Sequence, residues 1–163
     1  MQPMSLQTKK MLIYVDASVV GGCEDAEFSE DSLALWRLFI QGQYVMVLSE
    51  HTVRELAGAP EPVRKRPLEI PQKHRIVLTD DDEADALAEA YLEHHVVGPG
   101  SRSDALHVAL AVVSNCDVLV SWNFKHIVNL GRIRLFNAVN LEKGYRPIEI
   151  RSPKEILVNE KGI

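Results

Sequence analysis

Cysteine is scarce in this chain: Cys23 and Cys116 are the only two among 163 residues. They have no metal-ligand spacing and no disulfide-framework density, so they read as ordinary reduced thiols. No apolar run approaches the ~20 residues of a membrane span. The first ten residues are polar and lack the apolar middle of a secretion signal, so a flexible tail over 1–10 and a cytoplasmic protein are expected. Basic charge is not in excess either. A formal net charge of −5 argues against a surface that coats nucleic acid generically. It leaves room for a nucleic-acid enzyme, because carboxylates that are buried or bound to cations enter the total without shaping the outer field. Glycine-rich phosphate loops, serine nucleophile elbows and zinc clusters are all missing, so kinase, nucleotide-hydrolase and serine-hydrolase readings have no foothold. There is no internal repeat, low-complexity stretch or interdomain linker.

The apolar fraction of 46% and charged fraction of 25% are ordinary for a globular protein. The length suits one domain, taken as residues 11–163. Strand-like runs alternate with helical patterns, as in a wound α/β sheet. Strands are expected at Met11–Val15, Tyr44–Leu48, Arg75–Leu78, Asp117–Ser121 and, at an edge, Pro147–Ile150. Ser18–Glu30 reads as a short helical turn and a loop. Helices are expected over Asp31–Gln41, stopped by Gly42, and over Glu50–Ala57, capped by Ser49. Pro60–Pro71 carries four prolines and reads as an irregular connection or a short helix. An acidic helix start at Thr79–Glu83 leads to a helix ending near His94 or His95. Further helices are expected over Asp104–Ser114, Phe124–Asn129 and Arg132–Lys143, with a last turn after Ser152-Pro153.

Four acids fall at element boundaries. Asp16 ends the first strand, where open α/β sheets place ligands, but an isolated aspartate there is as readily a helix cap. Glu55 suits a surface pair with an arginine, Asp104 suits a helix first turn, and Asp117 suits a turn before a strand. Gathered together, such acids would hold a hard divalent cation. Basic clusters at Arg64-Lys65-Arg66, at Lys73-His74-Arg75, and at Lys125 with Arg132 and Arg134 read as solvated faces.

Four segments in order carry a resemblance: IYVDAS at Asp16, SEHTVRELAGA at Glu55, SRSDALHVALA at Asp104, and CDVLVSWNFKHI around Asn123. From Met11 to about Ile127 the chain resembles a PIN domain, and most closely the VapC-type toxins of toxin–antitoxin pairs. The resemblance implies a three-layer αβα fold with a central parallel sheet of four to five strands. It implies a metal-dependent endoribonuclease that hydrolyses RNA phosphodiesters, uses Mg²⁺ or Mn²⁺, forms a homodimer and is silenced by an antitoxin protein. Asp16, Glu55 and Asp104 match three of the family's four acidic positions. The fourth position reads Ser121-Trp122-Asn123, where a neutral asparagine replaces the acid and should weaken a second cation more than the first.

On this reading Asp16 and Asp104 are direct ligands, and Glu55 is a ligand or the holder of a water. Ser18 and Ser121 orient carboxylates or water behind them, and Asn123 is a neutral ligand or a hydrogen-bond donor. Asp117 lies about four residues of strand from Asn123, at ~3.3 Å each, so it is not expected at the site. His107 shares a helical face with Asp104 and is expected to be packed or hydrogen-bonded rather than a general base. His51, His94, His95 and His126 form no zinc-like pattern with cysteine. Leu87, Tyr91 and Leu92, with the apolar side of the first amphipathic helix, are either core or a partner surface. Two alternatives stand beside this: a PIN-fold protein that binds RNA or a partner without cutting, and a receiver-like phosphoacceptor domain.

Overall fold

A computed structural model describes residues 9–160; most of the tail expected over 1–10 lies outside them. Among the described residues the sheet has five strands: β1 (Leu12–Val15), β2 (Val45–Ser49), β3 (Arg75–Leu78), β4 (Val118–Val120) and β5 (Glu149–Arg151). All neighbours are parallel, in the order β3-β2-β1-β4-β5. Parallel strands need crossovers, and these are supplied by α1 (Ala17–Gly22), α2 (Ser29–Ile40), α3 (Glu50–Leu56), α4 (Glu61–Lys65), α5 (Asp82–Glu93), α6 (Arg102–Val113) and α7 (Leu130–Glu142), while α8 (Pro153–Glu160) follows β5.

The central strands are apolar throughout because both of their faces are covered. Successive side chains alternate between two cores. Tyr14, Val47, Leu119 and Ile150 face α5, α6 and α7. Ile13, Val15, Met46, Leu48, Val118 and Val120 face α1–α4 and α8, where Leu35, Trp36 and Phe39 of α2 are fully buried. Each such side chain contributes roughly 1.5–3 kcal/mol by leaving water. Helices α5 and α6 approach closely because alanines line both, with Ala84, Ala88, Ala105 and Ala109 wholly inaccessible. Leu87 and Tyr91 belong to this core, so they are not a partner surface.

The helix expected at Phe124–Asn129 is a turn instead. Asn123 explains it: its side-chain oxygen accepts from the His126 N–H at 3.0 Å, and its carbonyl accepts from Ile127 and Val128. These bonds close the chain on itself, and Asn129 then caps α7 through the Arg132 N–H. The acidic helix starts later than expected, because Asp81 is its cap. Asp80 is left outside the helix in an exposed pair with Arg54. Beyond α8's predicted first turn, the final helix continues to Glu160.

The strand order excludes the receiver-like alternative, whose doubly wound order is 2-1-3-4-5. Here the winding reverses at β1, between β2 and β4. In open α/β sheets ligands bind beyond the carboxyl ends of the strands at such a reversal. Asp16 follows β1 directly, and Ser121 follows β4.

Candidate active site

Asp16 performs two tasks at once. Its extended backbone precedes α1, and its Oδ1 accepts from the Val19 N–H at 3.3 Å as a helix cap. The same oxygen accepts from the Ser18 hydroxyl at 2.6 Å, while Oδ2 accepts from the Ser121 hydroxyl at 2.6 Å. Both serines then accept backbone donors from the β4 loop, Ser18 from Trp122 at 2.9 Å and Ser121 from Asn123 at 2.9 Å. The ends of β1 and β4 are thus tied through one carboxylate. Asp16 is only 4% exposed and, among the described residues, has no lysine or arginine partner.

Trp122 anchors the loop from the other side. Its indole N–H donates to the buried Ser32 hydroxyl at 2.8 Å, and its ring stacks on Phe28. This seat exists because position 22 is glycine. A Cβ there would lie 2.5 Å from Ser32 Oγ and 2.9 Å from Trp122 Nε1.

Asp104 opens α6, and its Oδ1 accepts from the Asn123 side-chain amide at 3.3 Å. The Asn123 oxygen is already committed to the His126 N–H, so the asparagine faces Asp104 as a donor. Burial pushes the Asp104 carboxyl above its ordinary value. His126 and His107 pull it down, while the charges of Asp16 and Glu55 push it up again. The three predicted acids therefore feel one another. His126, which acts electrostatically on Asp104, has a buried Nδ1 with no hydrogen-bond partner among the described residues.

Glu55 is held differently. Its Oε1 meets His107 Nε2, its Oε2 accepts from the Ser103 hydroxyl at 3.2 Å, and His51 Nε2 lies 3.6 Å from Oε1. Burial raises its carboxyl, but the His107 hydrogen bond and the charges of His107 and His51 outweigh that and leave it below the ordinary value. His107 is buried, and its Nδ1 lies 2.7 Å from the Tyr14 hydroxyl, which reaches Ser49 at 2.8 Å. Ser49 in turn caps α3, the helix that carries Glu55. Sequence reasoning missed His51 and Tyr14; the His51/Glu55 spacing of one helical turn was the available signal.

The structure brings Asp16, Ser18, Asp104, Ser121 and Asn123 to one edge. Glu55 lies beside them but is turned toward histidines. Among the described residues, the set of three acidic, histidine or cysteine groups whose ligand atoms all lie within 4.8 Å of one another is His51, Glu55 and His107. Asp16, Glu55 and Asp104 do not converge that tightly. Asp117 sits at the other end of β4, where it accepts from the Leu12 N–H at 2.7 Å. In the basic cluster at Arg64–Arg66, Lys65 pairs with Glu61, Arg66 pairs with Glu24 and Glu69, and Arg64 donates to the Ala59 carbonyl at 3.0 Å, while the exposed Lys125 lies two residues beyond Asn123.

The donors fit a hard cation. Two carboxylates without a lysine or arginine partner among the described residues, one nearly buried, accord with Mg²⁺, which binds through one or two carboxylates and keeps waters or phosphate oxygens as its other ligands.

No family model and no curated protein matches the sequence. Solved structures do. The chain is similar to VapBC2 from Rickettsia felis bound to a DNA fragment from their promoter, with a TM-score of 0.54 and 12% identity. That match covers 87% of this chain and 98% of the other. It is also similar to Mycobacterium tuberculosis VapC20, a sarcin-ricin loop cleaving toxin, with a TM-score of 0.53 and 16% identity over 84% of this chain and 98% of that one. No helix among the described residues is long and apolar enough to cross a membrane. With its five parallel strands between two helical layers and its acids at the β1–β4 reversal, the chain has a PIN-like, VapC-type fold.

Proposed function

We propose that the chain is a metal-dependent endoribonuclease, the toxin of a toxin–antitoxin pair. The observation that carries this reading is the Asp16 carboxylate, buried at the sheet's reversal without a lysine or arginine partner among the described residues and aimed by two hydroxyls. Asp16 and Asp104 would hold Mg²⁺ or Mn²⁺, with Glu55 as a third donor on rotation away from His107. The cation, when bound, supplies Lewis-acid stabilisation of charge on a phosphoryl oxygen and eases deprotonation of water. The chain's own groups do the positioning. Ser18 and Ser121 hold the Asp16 carboxylate in one orientation through a hydroxyl on each oxygen. Asn123 would orient Asp104 through its amide, and the exposed Lys125 would meet a backbone phosphate. The reaction is hydrolysis: water oxygen bonds to phosphorus, one P–O ester bond breaks, and the leaving oxygen takes a proton. No covalent enzyme intermediate is needed. The RNA substrate, a homodimer and a neutralising antitoxin belong to the same proposal.

Asp16→Asn should lower RNA cleavage in Mg²⁺ or Mn²⁺ by at least about 10²-fold, the scale for losing one group that stabilises transition-state charge. Equal cleavage by the variant and the parent would remove Asp16 from the site. A second reading, a PIN-fold protein that binds RNA or a partner without cutting, is favoured by one observation, the neutral Asn123 donating to Asp104. RNA binding without cleavage in either metal would establish it.

A further inference from the structure

Beside the carboxylate pair lies a second constellation with different chemistry. His51 and Glu55 are one turn apart on α3, and His107 comes from α6. The imidazole rings of His51 and His107 lie 4.6 Å apart between centroids, both turned to one carboxylate. Their ligand atoms and that of Glu55 all fall within 4.8 Å of one another. Donors on one tetrahedral cation at ~2.0–2.1 Å bond lengths are somewhat closer than this, so small side-chain rotations bring the set to bonding distance.

We infer that His51, Glu55 and His107 form a site for a borderline divalent transition cation of the Zn²⁺ or Co²⁺ type. Two imidazole nitrogens and a carboxylate are a recurrent zinc set, and imidazole disfavours Mg²⁺, which takes oxygen. The surroundings match what such ligands need. His107 Nδ1 is engaged by the Tyr14 hydroxyl at 2.7 Å, which fixes the ring and leaves Nε2 facing Glu55. Ser103 Oγ lies 2.7 Å from His51 Nε2 and 3.2 Å from Glu55 Oε2, between the two ligands. Glu55 is one-third exposed, so the cation has a route in. The site shares Glu55 with the proposed Mg²⁺ donors but needs neither Asp16 nor Asp104, and it stands whether or not the chain cuts RNA.

The test is titration calorimetry of the untagged full chain with ZnCl₂ in Mg²⁺-free buffer, with Co²⁺ absorption in the visible as a second readout. One Zn²⁺ per chain is expected, and His51→Ala should weaken it by more than about tenfold, since even an outer-shell partner is worth 10–100-fold. His51→Gln, which keeps a polar group for Ser103, should do the same, and circular dichroism checks that each variant is folded. Asp16→Asn should leave Zn²⁺ affinity unchanged. The assignment is overturned by an absence of Zn²⁺ binding, by undiminished binding in both His51 variants, or by an equal loss in Asp16→Asn. The last outcome would place Zn²⁺ on the carboxylate pair. Loss of RNA cleavage by Asp16→Asn is read separately, so the two proposals fail independently.

Discussion

The two sides of this sheet's carboxyl edge hold their acids by opposite means. Between β1 and β4, Asp16 is gripped by two serine hydroxyls and a backbone N–H, none of which changes charge near neutrality. Between β2 and α6, Glu55 is gripped by two imidazoles, whose ring nitrogens are themselves cation donors. The first arrangement fixes a charge in place and leaves it in need of a cation. The second already supplies partial compensation, so its carboxylate is turned away and its availability depends on what the histidines bind. One edge therefore offers a rigid hard-cation seat next to an adaptable nitrogen-rich one.

Removing Ser121 should break the rigid side most severely. Ser121→Ala leaves the buried Asp16 Oδ2 without its hydroxyl donor and the half-buried Asn123 N–H without its acceptor. Hydrogen bonds to charged groups are worth about 1.5–3 kcal/mol, so urea unfolding should show a loss of that size. The contrasting substitution is Ser103→Ala, whose hydroxyl lies at the half-buried Glu55, and it should cost clearly less. Equal losses would mean that the two sides are not held differently.

Next in size is Gly22→Ala. The new methyl would press on the Ser32 hydroxyl and the Trp122 indole, which are bonded to each other. Overpacking of this kind costs about 1–3 kcal/mol. Because Trp122 lies between Ser121 and Asn123, the strain is delivered to the β1–β4 side alone. Hydrogen exchange should speed up at Trp122 and Asn123 and stay unchanged in α3. Uniform acceleration across both regions would contradict that local coupling.

The same contrast explains what was legible in the sequence. The strand at Leu12–Val15 announces itself as an apolar run, and Asp16 sits next to it in the chain, so its place at the edge follows from local pattern. Ser49 before α3 was equally readable as a cap. The histidine site was not, because His51 and His107 are 56 positions apart and meet only when α3 and α6 flank the same strand end. The role of Asn123 was half visible. Its position in the loop followed from the motif, but its choice between ligand and donor rests on the His126 N–H claiming its oxygen, a bond that also replaced the expected helix at Phe124–Asn129 with a turn.

The smallest predicted effect concerns Asp104, which belongs to neither grip. A first-turn acid gains from the helix dipole, yet burial and the charges of Asp16 and Glu55 prevail and raise its pKa. A carboxyl raised in the folded state adds stability below its unfolded value near 3.8, and that contribution is lost as pH rises through the folded value. At neutral pH and without metal, ionised Asp104 is therefore a cost. Asp104→Asn should raise the thermal midpoint at pH 7 in chelator by roughly 2–4 °C per kcal/mol relieved. The advantage should shrink as pH falls toward 4, where the parent carboxyl takes up its proton, and it should reverse when Mg²⁺ is added and stabilises only the parent. A variant that is less stable than the parent at pH 7 in chelator, or an advantage independent of pH, would show that the Asp104 charge is compensated within the protein and leave Asp16 as the sole acid kept in want of a cation.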